Sequence, residues 1–439
     1  MIPKKYEVGE RITLRVCNTD RFKSGMLSVS AVLPIERESV WMTLLMLSVL
    51  RRGTQKYPTL AALNRRLDYL YGTELSIRNI YRGDCQVIGF SVDILGNAVL
   101  PEGQSLMADV LDVVREILFA PLLDENGLLN ARYVESEKKH HCDSIRALKN
   151  NPRAYAAERC GAILYENEPC GVDSYGKEED VMAVTPSRLT AHWRKLVESL
   201  HLDCFYVGAE DAGSICEALD HAFGDLLSSS SSPRCDTMPT VIRYAEQVKR
   251  VEEELPVGQS HLVMGLRTGI MATDSDYFAC AVFNEMLGSS PISRLFVHVR
   301  EKLSLCYFCA SRINAYKGTM MIHCGLDKSN RERAEQEILA QLRALAEGDF
   351  TDPELEAAKK SLRNAYRQIE DSPGALENFY YGRSLLGIEI SVTEFRKGFE
   401  KVTRQEVIAA AKAVTLDTVY FLQGTLDKNS AEEEDDEDN

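Results

Sequence analysis

At 439 residues, with 45% hydrophobic and 27% charged side chains, the chain has a globular composition, and a length prior of roughly 150 residues per domain divides it into two or three. Its formal charge is −15, of which the run Glu432–Asp438 supplies seven negatives; the rest lacks the clustered Lys and Arg that nucleic-acid phosphates demand, so nucleic acid is not expected as a partner. No window approaches the roughly eighteen apolar residues of a membrane span, the N-terminus lacks a signal-peptide core, and twelve scattered cysteines suit a reducing compartment. The expected location is cytoplasmic.

Strand-like segments at Arg11–Val16 and Met26–Leu33 open the chain. The apolar run Trp41–Thr54 then reads as an amphipathic helix on which Leu44, Leu47 and Ser48 share one face, the i, i+3, i+4 spacing that can bring three ligands together. Thr59 starts a second helix, strands follow near Thr73–Ile80 and Cys85–Val92, and helices run from about Gly103 to Leu164. Within them Asn126–Asn150 is long, polar and solvent-facing, ended by Pro152. Its neighbours His140 and His141 diverge by about 100° around a helix, too far to chelate one ion, and read as surface histidines.

Thr185-Pro186 caps a further helix, Cys204–Val207 is a buried strand, and Ser214–Leu227 is helical. Ser228–Ser232 followed by Pro233 is a linker. The order then repeats: strand His261–Leu266, helices Asp276–Leu287 and Ile292–Glu301, strands near Leu305–Arg312 and Gly318–Gly325, helices over Arg331–Ala346, Asp352–Gln368 and from Thr403, and strand Val419–Gln423. Two halves of roughly 200 residues with one order of elements imply a duplicated α+β unit. The only C-x-x-C, Cys306-Tyr-Phe-Cys309, falls within an expected strand, where its thiols would point to opposite faces rather than share a metal.

The second half carries Gln259-Ser-His261, Tyr277, Asn284, Leu287-Gly288, Ser293-Arg-Leu-Phe296, Arg300-Glu-Lys302, Leu305, Tyr307, Gly318 and Gly325. The first carries Arg52-Gly53-Thr54, Glu135-x-Glu137-Lys138, Pro169-x-Gly171 and Tyr175-Gly176. In order and spacing these resemble the pitrilysin/insulinase-type zinc peptidases, or inverzincins, named for an inverted H-x-x-E-H motif, over about residues 6–426. The resemblance implies an α+β fold of two homologous domains, each a mostly antiparallel sheet packed with helices, in a half-clam like that of the processing peptidases. The domains expected are 1–227, with a degenerate zinc motif, and 243–426, joined by a linker at 228–242 and followed by an acidic disordered tail at 427–439.

Counting back from Gly53-Thr54, the resemblance places the motif's first His on Leu44, its Glu on Leu47 and its second His on Ser48; the third ligand, a Glu on a later helix, falls on Ser144. Catalytic zinc needs N, O or S ligands and a base for its water, and leucine provides neither. No metal, and no catalytic residue in this chain alone, is therefore expected. Arg300 and Tyr307 keep the family's spacing for the pair that binds the substrate carbonyl and its oxyanion, although Leu303-Ser304 stands where Arg-Gly is usual. Gln259-Ser260-His261 is placed on an edge strand lining the chamber.

The resemblance implies a non-catalytic subunit of a bacterial heterodimeric peptidase, inactive on its own, closing a chamber around peptide while a homologous partner holds the zinc. The alternative is a peptide-binding or scaffold protein of the same fold with no proteolytic role, which as a homodimer would capture an extended peptide by strand addition.

Overall fold

The computed structural model of the protein describes residues 2–102, 104–227 and 233–426. The expected serine-run linker at 228–232 and the acidic tail at 427–439 lie outside the described residues.

The first half comprises β1 (Lys4–Val8), β2 (Ile12–Asn18), β3 (Ser24–Pro34), α1 (Val40–Leu50), α2 (Leu60–Tyr69), β4 (Glu74–Arg82), β5 (Cys85–Leu95), α3 (Met107–Phe119), α4 (Ala131–Lys149), α5 (Pro152–Leu164), α6 (Glu178–Met182), α7 (Pro186–Ser199), β6 (Leu202–Gly208) and α8 (Ala212–Leu227). The second comprises β7 (Lys249–Leu255), β8 (Ser260–Arg267), α9 (Tyr277–Asn284), π-helical turns at Glu285–Ser289 and Leu295–Lys302, β9 (Phe308–Asn314), β10 (Thr319–Leu326), α10 (Arg331–Glu347), α11 (Asp352–Gln368), α12 (Pro373–Ser384), α13 (Val392–Glu400), α14 (Arg404–Ala413) and β11 (Thr415–Gly424).

Local chemistry sets several of these boundaries. Thr59 and Thr185 accept hydrogen bonds from the backbone N–H groups of Ala62 and Arg188, and Thr403 forms a capping box with Glu406. The helix α1 differs from the amphipathic expectation. It buries nine of its eleven side chains, so it is embedded on nearly all sides rather than striped.

The elements form two compact units that are not contiguous in sequence. Of the described residues, one contains those within 2–145, 173–238 and 369–391; the other contains those within 146–172, 239–368 and 392–426. The first holds a six-stranded sheet in the order β1-β2-β6-β3-β5-β4, with only the β2–β6 pair parallel. The second holds a five-stranded sheet in the order β7-β11-β8-β10-β9, with only β7–β11 parallel. The α+β class and the mostly antiparallel sheets packed with helices thus stand as the sequence implied.

Each sheet is covered by a helix and tied by a buried ion pair. In the first unit α12 packs on β3 and β6, and Glu377 of α12 meets Arg78 of β4 at 2.8 Å while accepting the hydroxyl of Ser28 at 3.0 Å. In the second, α5 lays Ala156 and Cys160 against Val263, Tyr420 and Leu422. The loop that follows α5 carries Glu168, whose carboxylate meets Arg267 at 2.5 Å and Lys317 at 2.6 Å; Arg267 also binds Asp417 at 2.9 Å. Removing one member of such a network leaves an uncompensated buried charge, a loss of about 3–5 kcal/mol.

Candidate functional site

The helix α1 brings Leu44, Leu47 and Ser48 to adjacent positions over one turn, and packing and hydrogen bonding account for all three. Leu47 is 0% exposed, in the core, and half-buried Ser48 donates its hydroxyl to the carbonyl oxygen of Leu44 at 3.1 Å. Ser144, on α4, is exposed and donates to the His140 carbonyl oxygen at 3.0 Å. Two hydrocarbon side chains and two hydroxyls used within their own helices do not fit the donor set of a catalytic zinc. Among the described residues no group of three or more His, Cys, Asp or Glu is placed to hold a metal ion.

Polar contacts instead fasten α1 to its neighbours. Arg52, just beyond its end, pairs with Glu137 of α4 at 2.5 Å and donates to the Ser136 hydroxyl at 2.9 Å. Thr43 and His192 of α7 meet at 3.0 Å, and burial holds the His192 imidazole below its ordinary pKa. His141 is buried rather than on the surface: its Nε2–H donates to the Tyr175 carbonyl oxygen at 2.7 Å, and its ring lies 6.4 Å from that of Trp41. The adjacent Gly176 has φ +71°, and a Cβ there would lie 2.7 Å from the Trp41 ring, so Tyr175-Gly176 is kept by shape.

Arg300 and Tyr307 lie at the other end of the chain's motif set. Arg300 is on the π-helical turn Leu295–Lys302, its side chain 43% exposed, 3.7 Å from Glu301 and 4.7 Å over the Phe296 ring. Tyr307, 47% exposed, immediately precedes β9; its N–H donates to Gly325 O at 2.8 Å and its hydroxyl to Asp327 at 3.0 Å. Between them Ser304 takes the left-handed conformation, φ +49°. Leu305 N–H closes back on Val299 O at 2.9 Å and Ser304 N–H on Arg300 O at 3.1 Å, so this residue ends the helix and turns the chain into β9. The left-handed conformation that glycine favours is adopted here by a serine. Asp327, which holds the Tyr307 hydroxyl, carries no signal in the spacing; only the pairing of β10 with β9 brings it there.

Two further expectations change. Strand β8 is the central strand of five, not an edge, and His261 is buried 3.3 Å from His323 of β10, beside the Phe308 ring. Burial lowers the two imidazoles to about 4 for His261 and about 3 for His323. Cys306 precedes β9 instead of lying within it, so its thiol reaches both Cys309 and Cys324, which hold its pKa down to about 4. Cys309 and Cys324 sit opposite each other in the β9–β10 register.

No helix among the described residues is long and apolar enough to cross a membrane. Residues 183–362 match the family model described as the peptidase M16 inactive domain. The chain is 32% identical over 416 residues, 94% of its length and 96% of the relative's, to a Bacillus subtilis (strain 168) protein named "Probable inactive metalloprotease YmfF". Its fold matches the crystal structure of a conserved protein from Enterococcus faecalis V583 with a TM-score of 0.89 and 25% identity, covering 97% of this chain and 99% of that one. It also matches a peptidase M16 inactive domain from Pseudomonas fluorescens with a TM-score of 0.76 and 17% identity, over 97% and 99% of the two chains. At this identity over nearly the whole length of both proteins, the chain belongs to the M16 peptidases, the pitrilysin/insulinase-type family that its sequence resembles, as an inactive homologue.

Proposed function

We infer that this chain is the non-catalytic subunit of a cytoplasmic heterodimeric M16 peptidase, closing the chamber around a peptide and offering Arg300 and Tyr307 to it. A homologous partner would supply H-x-x-E-H, the zinc and the general base. One observation carries the reading: Arg300 and Tyr307 are exposed on either side of a defined turn, while Leu44, Leu47, Ser48 and Ser144, which the family resemblance aligns with the metal motif, offer no zinc-ligand set. A guanidinium and a phenol O–H can both donate to a carbonyl oxygen as it gains negative charge. Tyr307 donates to Asp327 here, so presenting its hydroxyl to a substrate takes a side-chain rotation.

The test is reconstitution. The chain, co-expressed with an H-x-x-E-H-bearing homologue, should copurify with it, and zinc should be stoichiometric with the partner alone. The pair should cleave peptides that this chain alone leaves intact. Arg300→Ala combined with Tyr307→Phe should lower turnover about 10²–10³-fold, as loss of oxyanion donors does. Unchanged turnover would remove these residues from the site, and failure to associate would overturn the heterodimer.

The placement of β9 supports a second reading. This strand is outermost in the second sheet and begins next to Tyr307, where an extended peptide could add in register to a chain acting as a binding protein. Calorimetric titration of peptide into the lone chain separates the two: strong binding without any effect of a zinc-bearing homologue favours this reading.

A further inference from the structure

Two thiols 150 residues apart in sequence face each other in the first unit, with Cys85 Sγ 3.7 Å from Cys235 Sγ. Cys85 opens β5, where its backbone is held on both sides, opposite Arg82 of β4 and Pro34 of β3. Its side chain is buried. Cys235 is half-buried, in the stretch 233–248, which contains no helix or strand. That stretch is held in place by the hydroxyl of Thr237, which donates to Leu385 O at 2.6 Å, and by the Arg234–Glu7 pair at 3.2 Å. The Cys85 thiol also lies 3.5 Å from Asp236 O.

We propose that Cys85 and Cys235 form an oxidative modification site, a dithiol that hydroperoxides convert to a disulfide fastening the segment after residue 232 onto β5. A disulfide needs an S–S length near 2.05 Å, so the sulfurs must approach by about 1.7 Å. The anchored strand supplies one fixed partner, and the irregular segment supplies the one that moves.

The roles of the two sulfurs differ. The hydrogen bond between them lowers the pKa of Cys235 and raises that of Cys85, and Cys235 is the more accessible. The Cys235 thiolate attacks one peroxide oxygen; the O–O bond breaks, hydroxide or alkoxide leaves, and a sulfenic acid forms on Cys235. Cys85 then attacks the Cys235 sulfur, the S–O bond breaks, and the departing hydroxide takes up the Cys85 proton as water. Two thiols are oxidised by two electrons and the peroxide is reduced by two. The bond closes a loop of 150 residues, which restricts the unfolded chain strongly and should raise the thermal midpoint.

The full chain, reduced and then treated with limiting hydrogen peroxide, is alkylated and mapped by mass spectrometry without reductant. The expected result is a linked peptide pair containing Cys85 and Cys235, loss of two of the twelve free thiols, a higher thermal midpoint, and reversal by dithiothreitol. In Cys85→Ser, the sulfenic acid on Cys235 should persist long enough for capture by dimedone; in Cys235→Ser, Cys85 should remain alkylatable. The wild-type map needs no variant to fold. If Cys85 and Cys235 both stay alkylatable while another pair, such as Cys306 with Cys309 or Cys324, becomes linked, the assignment is wrong.

Discussion

Ser48 donates its hydroxyl to the carbonyl oxygen of Leu44 one turn earlier in α1, at 3.1 Å, so the face that resembles a metal-binding face is hydrogen-bonded within its own helix. Between them Leu47 is fully buried. A carboxylate placed there inserts a charge into a packed hydrocarbon core. Leu47→Glu should destabilise the protein on the order of 3–5 kcal/mol, whereas Leu44→His, at a half-buried position, should cost about 1 kcal/mol or less. Urea unfolding of the two variants checks the contrast; equal effects would show that the face is not packed as described.

Ser304 makes a second prediction. An L-residue held at φ +49° pays a strain that glycine avoids, while glycine costs more entropy in the unfolded chain. Because the turn requires the left-handed conformation, relief of strain should win. Ser304→Gly is expected to stabilise the protein by up to about 1 kcal/mol, and the β-branched Ser304→Val to destabilise it by more than that. Denaturant midpoints of the three proteins decide the order. If the valine variant equals the wild type, the left-handed turn before Tyr307 is not required.

What could be read from sequence follows the range of the interaction. The caps at Thr59, Thr185 and Thr403 were legible because the side chain and its acceptor-seeking N–H lie three residues apart. Lys249–Leu255, KRVEEEL, carries no strong strand signal of its own: it is an edge strand whose alternating burial depends on pairing with β11, at the far end of the chain. The helix Pro373–Ser384, absent from the expected elements, has a local start signal in Ser372-Pro373, and Ser372 does cap it. The burial of His141 comes from Tyr175 and Trp41, whose approach no helical periodicity encodes, so adjacent-residue geometry alone leaves it on the surface. Cys306 departs from its expected place for a smaller reason, the start of β9 two residues later than the cysteine.

The pair His261–His323 should make stability fall in acid. The imidazoles touch at 3.3 Å with one accepting from the other, a geometry that requires at least one neutral ring. The Phe308 ring covers both, and the Arg153 guanidinium lies 4.2 Å from the centre of that ring, so the nearest charge is positive as well. Burial first, then these positive neighbours, lower the folded-state values to about 4 for His261 and about 3 for His323. An unfolded histidine titrates near 6.5, so both groups have depressed values in the folded state. Below about pH 6.5 the unfolded chain therefore binds protons that the folded chain does not, and stability is lost as pH falls toward about 4; above about 6.5 the contribution is complete. The slope reaches about 1.4 kcal/mol per pH unit for each histidine. Urea unfolding between pH 7.5 and 4.5 should show this loss for the wild type. The double variant His261→Gln, His323→Gln should show a shallower slope over the same range, with carboxylates supplying what remains. Equal slopes in the two proteins would mean that the histidines take up protons in the folded state as readily as in the unfolded one.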